Sequence, residues 1–228
     1  MKTSIEKACR AIVQADALLI GASNGLSIAE GYHLFADNEM FRSQFGDFRQ
    51  QYGIRNVIEG CFFSYPEAGK RREFLQRLVG YWVKDYRPSQ VMKDLLAIVQ
   101  GKDYFIITTN ADIHFEISGF DSDKVFELEG TFEQLLADRP IEDKSSRVQN
   151  FLTRYHEKRL VILELGVGMH NRMIKQPLMQ LAASEPCATY ITLNLAPELY
   201  IPQAIASKSI GLEGDIAVTL QELRNGVG

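Results

Sequence analysis

The chain has 228 residues, of which 46% are hydrophobic and 24% are charged, with a formal net charge of −4 at pH 7. This length and apolar share suffice for one large α/β domain with an insertion, or for two small domains. The acidic balance argues against nucleic acid as a partner, and because no apolar run is long enough to cross a bilayer and no signal peptide is recognisable, we expect a cytoplasmic protein without a membrane partner.

The first predicted element is an amphipathic helix over residues 4–16. Apolar residues recur on one of its faces at helical spacing, and Thr3 or Ser4 is able to cap its first turn. Cys9 lies on the apolar face, so we expect a buried thiol there rather than a reactive one.

Residues 17–31, ALLIGASNGLSIAEG, are the stretch around which the chain is organised. Residues 17–20 form a short apolar run that is typical of a strand buried on both faces. We expect a helix to begin near Ser27. A loop between strand and helix directs unpaired backbone N–H groups, and the positive end of a helix dipole, at a point where a pyrophosphate is able to bind. The candidate residues are Gly21, Ala22, Ser23, Asn24, Gly25 and Ser27.

This loop also has a purely structural interpretation. Its glycines are not spaced as in the G-x-G-x-x-G dinucleotide fingerprint, and no Gly-Lys-Ser/Thr of a P-loop is present. A glycine-rich turn that only lets one segment pack closely on another is therefore an equal alternative to phosphate binding.

Aromatic residues crowd residues 32–87, with Asn, Arg and Gln among them. No strand pattern is strong in this span, and Phe74, Leu75, Leu78, Val79 and Trp82 form a helical stripe. We predict a helical insertion with its own small aromatic core. An aromatic groove that binds a partner is the alternative.

Polar residues follow the next two predicted strands. Ser89 caps a short helix that ends at Gly101, and a strand over residues 104–107 leads into Asn110 and Asp112. The carboxyl end of a buried strand is where open α/β sheets bind ligands, although Asn and Asp also form turns. A strand over residues 125–128 then ends at Glu129.

The second half repeats the alternation of strand and helix. A helix over residues 131–137 and a polar loop over residues 138–146 precede a buried strand over residues 160–165. Glu164 lies inside that strand, where a buried carboxylate needs a partner. Gly166, Val167 and Gly168 form its exit.

Three further elements complete the predicted order. A helix over residues 174–183 contains Pro177 near its start, and strands over residues 190–193 and 209–212 follow. Asn194 ends the first of these strands. Gly214 and Asp215 follow the second, where Asp215 is able to cap the final helix.

This order predicts a doubly wound, mostly parallel sheet, with residues 1–31 and 88–228 as a Rossmann-like domain and residues 32–87 as the insertion. The carboxyl ends of parallel strands meet at one edge of a sheet. We therefore expect the glycines and polar residues that follow the strands to converge on one cleft.

The ordered set of motifs resembles the sirtuins, a family of NAD-consuming protein deacylases and ADP-ribosyltransferases. The family's G-A-G-x-S, T-Q-N-x-D and E-L-H-G motifs are similar to SNGLS at 23–27, TTNAD at 108–112 and ELEG at 127–130. Gly31 matches the glycine that follows the first motif. The later strand exits match more loosely, at residues 166–168, Asn194, and residues 214–215.

The departures from the family pattern point to one branch. Glu129 occupies the position of the catalytic His, and His33-Leu34-Phe35 replaces the P-D-F-R segment. Cys9, Cys61 and Cys187 lie far apart, and none falls between Glu129 and Leu160, where the family carries its zinc ribbon. We therefore expect no metal site. These features look most like the class M sirtuins of bacteria, which are associated with macrodomain proteins and with ADP-ribosylation of a lipoyl-carrying glycine-cleavage H-like protein.

The resemblance implies an NAD-dependent protein ADP-ribosyltransferase with a Rossmann-like fold and no zinc ribbon. It places the phosphates at the first loop, the nicotinamide–ribose pocket at Asn110 and Asp112, and the adenosine half at residues 166–168 and Asn194. Asn110, Asp112 and Glu129 are the implied catalytic residues, and Gly31, Gly214 and Asp215 complete the cofactor site. An NAD glycohydrolase, a weak deacylase and a non-catalytic NAD or ADP-ribose binding protein are the alternatives.

The four histidines predict no metal set. His114 follows Asp112 closely, but we expect it on a helical surface or in the core rather than in the cleft. His170 lies just past Gly168 and is a weaker candidate for the adenosine half. His33 and His156 receive no role.

Overall fold

The computed structural model describes residues 2–228, so residue 1 of the predicted first domain segment lies outside the described residues. Its centre is a sheet in which all the paired strands are parallel. Within residues 2–228 the six strands are β1 Ala17–Ala22, β2 Asp103–Thr108, β3 Val125–Glu127, β4 Leu160–Leu165, β5 Thr189–Asn194 and β6 Ser209–Glu213.

The strands lie in the order β3-β2-β1-β4-β5-β6. The order reverses between β1 and β4, which is the topological switch point where ligands bind in open α/β sheets. Ala22, the last residue of β1, lies opposite Thr108 of β2 and Leu165 of β4. Three strand exits therefore leave the sheet side by side at the same level.

Strand β1 is apolar throughout because both of its faces are covered. Leu18 and Ile20 pack into the core on one face of the sheet, and Leu19 packs into the core on the other face. Alternating side chains of a strand point to opposite faces, so a strand buried on both sides reads as a continuous apolar run.

Helices cover both faces of the sheet. The first core takes side chains from α1, α6 and α11, and the second takes them from α9 and α10. No helix within residues 2–228 has the length and apolarity needed to span a bilayer. The eleven α-helices of the described residues are α1 Lys2–Gln14, α2 Asn24–Ala29, α3 Glu39–Tyr52, α4 Val57–Phe62, α5 Lys70–Val79, α6 Gln90–Val99, α7 His114–Ile117, α8 Phe132–Ala137, α9 Ser145–Arg154, α10 Lys175–Ser184 and α11 Ile216–Val227.

The aromatic span folds into helices α3, α4 and α5, followed by a π-helix at Gly80–Lys84. These elements share an apolar core that includes Phe45, Phe74 and Trp82. Phe132 of α8 belongs to the same core, so a helix outside residues 32–87 packs with the insertion.

Several predicted boundaries differ from the structure. Helix α2 begins at Asn24 rather than near Ser27, with Ser23 in extended backbone immediately before it. Thr3 and Ser4 lie inside α1, so neither caps it. The predicted caps at Ser89 and Asp215 are present, because their side chains accept from the backbone N–H groups of Met92 and Val218, at 3.2 and 3.0 Å.

Helix α9 is the element that the sequence reading missed. The predicted loop over residues 138–146 ends inside it, and the residues that follow it received no prediction. Its apolar spacing was available, since Val148, Phe151, Leu152 and Tyr155 follow the i, i+3, i+4, i+7 pattern and pack into the second core. The polar residues around them concealed this stripe.

Candidate functional site

The first loop and the exit of β4 touch at the switch point. The backbone N–H of Gly25 donates to the carbonyl oxygen of Gly166 at 3.0 Å. A Cβ atom added to Gly25 would lie 2.5 Å from the Gly166 Cα atom, and Gly166 has a φ of +59°. Only glycine pairs allow so close an approach of two backbones. The structure thus supports close packing as one role of this loop.

Two adjoining cavities open at this edge of the sheet. The insertion-side cavity, of about 410 Å³, lies between the switch point and helices α4 and α8. The sheet-side cavity, of about 530 Å³, lies over the exits of β4, β5 and β6. The walls shared by the two cavities are formed by Ser23, Asn24, Phe35 and Asn171.

The sheet-side cavity contains most of the predicted adenosine residues. Gly166, Gly168 and Asn194 line it, together with Gly25 of the predicted phosphate loop and with Gly214 and Asp215. The Asn194 amide is already bonded: its Nδ2 donates to the carbonyl oxygen of Val167 at 2.9 Å, and its Oδ1 accepts from the Leu195 N–H at 3.0 Å. Asn194 therefore ties the exits of β4 and β5 together.

The insertion-side cavity contains Asn110 and Glu129. Asn110 is 5% exposed, and its Nδ2 donates to the Ser23 carbonyl oxygen at 3.3 Å. Its backbone N–H donates to Thr108 Oγ1, so the residue is fixed from two sides. Glu129 lies exposed on the wall of the same cavity. The structure thus brings an amide and a carboxylate from two different strand exits to one space.

Six predicted site residues do not line either cavity: Gly21, Ala22, Ser27, Gly31, Asp112 and Val167.

Gly21 lies within β1, and a Cβ there would meet Leu178 of α10 at 2.2 Å, so this glycine gives room to a helix. Val167 is fully buried in the second core. Asp112 is 3% exposed, and its Oδ2 accepts a hydrogen bond from Ser27 Oγ at 2.7 Å. Asp112 and Ser27 thus hold the loop after β2 against α2 and do not project into the cleft.

The predicted cradle of unpaired N–H groups is smaller than expected. The N–H groups of Ser23, Gly25 and Leu26 donate to the carbonyl oxygens of Leu165, Gly166 and Ser23. The loop folds tightly against β4, so the carbonyl groups of Leu165 and Gly166 satisfy two of these donors and the loop itself satisfies the third. Any anion bound here would rely on side chains and on the dipole of α2.

Asn24 supplies a polar group that is without a partner. Its side-chain Oδ1 is buried and has no hydrogen-bond partner within residues 2–228, and the residue lines both cavities. Buried polar atoms are rarely left unsatisfied in folded proteins, so such an atom at a cavity wall fits a bound polar ligand. The amide offers either a donor or an acceptor, depending on its rotation.

Several residues that line the cavities were not predicted from the sequence, and three of them shape the walls with polar or aromatic groups. Phe35 and Asn171 stand in the shared walls, and Glu198 lines the sheet-side cavity. Glu198 Oε2 accepts from the backbone N–H of Met169 at 2.6 Å, which joins the segments after β4 and β5. Asn171 lies only three residues beyond Gly168, and this proximity was the available signal.

His114 lies in the core, as expected, with 1% of its surface exposed. The carboxylates of Asp112 and Glu30 lie close to its ring. Burial alone lowers its pKa, but Asp112 and Glu30 outweigh burial and raise the pKa above its usual value. His170 is exposed and does not line the cavities.

Glu164 has the partners that its position in a buried strand demands. The fully buried Lys175 forms an ion pair with it, and Thr192 Oγ1 donates to the same Oε1 atom at 2.8 Å. Tyr190 donates its hydroxyl to the other oxygen. Because these groups are 11 to 28 residues away in sequence, the sequence predicted the need for a partner but not its identity.

The segment between β3 and β4 contains α8 and α9. Within residues 2–228, no group of three or more His, Cys, Asp and Glu side chains is placed to hold a metal ion. A further depression of about 670 Å³ lies at the opposite, amino-terminal edge of the sheet, beside Leu160, Thr189 and Ser209. None of the predicted site residues lines it.

Comparison with known proteins found a curated relative and solved structures with a similar fold. No family model matches the chain. A curated protein ADP-ribosyltransferase of Staphylococcus aureus (strain Mu50) is 24% identical over 272 aligned residues, which cover 94% of this chain and 85% of that protein.

Two solved structures share the fold. A Sir2 homologue in complex with NAD has a TM-score of 0.61 at 15% identity, covering 97% of this chain and 93% of its own. A Sir2 enzyme from a study of mechanism and regulation has a TM-score of 0.59 at 13% identity, covering 99% and 97%. The predicted resemblance to the sirtuins and the predicted fold class are both confirmed.

Proposed function

We propose that this chain, whose fold is that of the Sir2 enzymes, is an NAD-dependent protein ADP-ribosyltransferase. The observation that carries the proposal is the pair of adjoining cavities at the switch point, which share a wall at Ser23 and Asn24. A dinucleotide has two halves joined by a pyrophosphate. Two cavities joined at a polar wall match that shape.

The residues present fit NAD in three respects. The buried Asn24 amide at the shared wall lacks a partner, and a pyrophosphate or ribose oxygen would supply one. The glycine exits of β4 and β6 leave the sheet-side cavity open for the adenosine half. Asn110 and Glu129 then face the nicotinamide–ribose half in the insertion-side cavity.

NAD supplies an electrophilic ribose carbon when its bond to nicotinamide breaks and positive charge develops on the sugar. The carboxylate of Glu129, on the wall of the same cavity, is placed to favour such a charge in the transition state. Because Asn110 Nδ2 is held by the Ser23 carbonyl, its Oδ1 is the atom left to orient the sugar or the amide of nicotinamide.

Glu129 does not reproduce the proton relay of a neutral histidine. The side chain that exchanges a proton near pH 7 in such a relay is an imidazole, and Glu129 has a carboxyl group in its place. We therefore infer that deacylation is weak or lost and that transfer of ADP-ribose remains.

The acceptor in this proposal is a protein. The named transferase activity of the S. aureus relative supports it. The class M resemblance suggests a lipoyl-carrying glycine-cleavage H-like protein, with a macrodomain protein as a functional partner. The apolar side chains of Ile58, Phe62 and Leu135 at the insertion-side cavity offer a surface for an aliphatic arm next to Glu129.

The test is to incubate the protein with NAD and to measure free nicotinamide with and without a lipoylated carrier protein. Release that depends on the carrier, together with a mass increase of one ADP-ribose on it, is the expected result. Release without any carrier would identify a glycohydrolase. Tight NAD binding with no release under either condition would identify a binding protein and overturn the transferase proposal.

Asn110→Ala is expected to reduce carrier-dependent nicotinamide release by at least about a hundredfold, since it removes a group positioned in the reacting cavity. The matched control is Asn150→Ala, an exposed asparagine on α9. Equal rates for the two variants in a single-turnover assay would remove Asn110 from the site.

A further inference from the structure

A buried charged cluster joins the candidate cofactor loop to the helical insertion. His114 is the first residue of α7 and lies between Glu30, at the end of α2, and Trp82 of the π-helix. The side chains of His114 and Glu30 are 1% and 2% exposed. None of these residues belongs to the predicted site, and the cluster lies behind the wall of the cavities.

Both ring nitrogens of His114 face hydrogen-bond acceptors. Nδ1 lies 3.0 Å from Glu30 Oε1, and Nε2 lies 2.8 Å from the backbone carbonyl oxygen of Trp82. A backbone carbonyl only accepts. A neutral imidazole donates from one nitrogen only, so it cannot satisfy both contacts.

Glu30 is placed to be an ionised acceptor. Its Oε2 accepts from the hydroxyls of Tyr86 and Ser89, the latter at 2.6 Å. Because Oε2 receives both of these hydrogen bonds, the surroundings stabilise negative charge on this carboxylate. A doubly protonated His114 is then the matching partner.

The groups that face the ring from other directions are compatible with a positive charge. Asp112 Oδ2 lies 3.8 Å from His114 Nδ1. The Tyr86 ring stacks on the imidazole with a centroid distance of 3.6 Å and an interplanar angle of 10°, and Tyr32 meets it edge-on at 4.8 Å. An aromatic face attracts a stacked cation. Among residues 2–228, no lysine or arginine forms a hydrogen bond with the side chains of His114, Glu30 or Asp112. Arg87 donates to the backbone carbonyl oxygen of Tyr86, at 2.7 Å.

Two connections lead from the cluster to the cofactor loop. Asp112 accepts from Ser27 Oγ of α2 and also from the His114 backbone N–H at 3.1 Å. Glu30 ends the same helix. The contact between His114 Nε2 and the Trp82 carbonyl oxygen joins the same cluster to the helical insertion. Trp82 lies in the π-helix, a geometry that leaves carbonyl groups available for such contacts.

We propose that His114 stays doubly protonated in the folded protein and is a positioning residue, which fixes α2 and the loop before it against the helical insertion. The inference deepens the proposed function, because that loop forms the wall shared by the two halves of the NAD site. Loss of the proton would leave either Glu30 Oε1 or the Trp82 carbonyl oxygen without its donor and would release one side of the connection.

The direct test is a ¹⁵N-histidine NMR titration of the whole protein between pH 6 and 9, with the His114 signals assigned from the spectrum of His114→Gln. At pH 7.5 a free histidine, with a pKa of about 6.5, is about nine-tenths neutral. We expect both His114 nitrogens to carry protons at that pH. A neutral His114 at pH 7.5 would overturn the proposal.

A second test removes the partner charge and leaves the ring in place. Glu30→Gln is expected to abolish the double protonation of His114 at pH 7.5 and to weaken NAD binding, measured by calorimetry, about tenfold, which corresponds to about one charge-assisted hydrogen bond. Glu39→Gln, at an exposed position on α3, is the matched control and should change neither measurement. An unchanged NAD affinity in a folded Glu30→Gln variant would contradict the positioning role.

The two measurements separate this inference from the proposed function. If the unmodified protein binds no NAD while His114 titrates as predicted, the proposed function fails and the protonated cluster stands. If NAD binds and His114 is neutral, the cluster proposal fails alone.

Discussion

Glu116 of α7 is a largely buried carboxyl group that lies near a second one, Glu127 at the end of β3. Burial, and then the neighbouring Glu127, raise the pKa of Glu116 to about 8. Lys144 Nζ lies 3.4 Å from Glu127 Oε2, where it stabilises negative charge on Glu127. At neutral pH the folded protein therefore keeps a proton on Glu116 that the unfolded chain releases.

This proton makes stability depend on pH. Between the ordinary pKa of about 4.5 and the folded value of about 8, the native state binds more protons than the unfolded state, so the free energy of unfolding falls as the pH rises. Glu116→Gln should remove this slope. The full shift corresponds to about 4 kcal/mol at pH 8, so we expect the variant to be more stable than the unmodified protein there by up to about that amount, and nearly equal to it at pH 4.5.

Urea denaturation at the two pH values checks this expectation. The matched control is Glu133→Gln, on helix α8. A stability difference between Glu116→Gln and the unmodified protein that is the same at pH 4.5 and pH 8 would show that Glu116 is charged in the folded state.

The roles of single residues were predicted correctly where the interaction is local in sequence, and less well where the partner is distant. Ser89 and Asp215 were predicted as caps because a cap acts three residues along the same chain. Asp112 was predicted to line the cofactor pocket, and it bonds Ser27 instead, 85 residues away. Ser27 and Asp112 both belong to the motifs that resemble those of the sirtuins. Such a motif does not distinguish a residue that contacts the ligand from one that only supports the residues around it.

Among the elements, the contact between the loop before α2 and the exit of β4 shapes the site most strongly. A Cβ on Gly25 would lie within 2.6 Å of the Gly166 Cα and carbonyl oxygen, and backbone atoms cannot yield as a flexible side chain can. Gly25→Ala must therefore separate the two exits, at a cost of about 1–3 kcal/mol.

Gly25→Ala is accordingly expected to lower the unfolding temperature by about 2–10 °C and to weaken NAD binding. Gly46→Ala is the control, because a Cβ there meets no atom within 4 Å and the residue lies in helix α3. That variant should keep its NAD affinity, with an unfolding temperature unchanged or raised by up to about 3 °C. Normal NAD affinity in Gly25→Ala would show that the two exits need not touch.

At the scale of the whole molecule, the connection from β3 to β4 determines how the two halves of the sheet are joined. The connection from β3 to β4 consists of α8, a loop and α9, and Phe132 and Phe151 anchor these helices in two different cores. Apolar burial therefore stabilises this connection.

We therefore expect a strong chelator to leave the unfolding temperature unchanged within about 1 °C. A protein with a structural zinc site would lose stability under the same treatment, because the bound metal contributes many kcal/mol to folding. The measurement is differential scanning fluorimetry, with metal analysis of the untreated protein alongside. A zinc content near one per chain, or a clear loss of stability on chelation, would contradict this account of the β3–β4 connection.

The amino-acid sequence by itself determined the strands, the fold class, the helical nature of residues 32–87 and the order of the motifs. These features depend on apolar periodicity, caps and glycine placement, which act over a few residues and are legible along the chain. Helix α9 was missed although its signal was local. The domain boundaries stay a prediction, since Phe132 packs with the insertion from outside its predicted range.

Only the tertiary structure decided the strand order, the Gly25–Gly166 contact, and which polar residues face the cavities. It also decided that Lys175 neutralises Glu164 and that His114 bridges Glu30 and Trp82. The physical reason is common to all of them. Each depends on groups far apart in sequence whose separation in space is set by how the sheet is wound, and no local pattern encodes that distance.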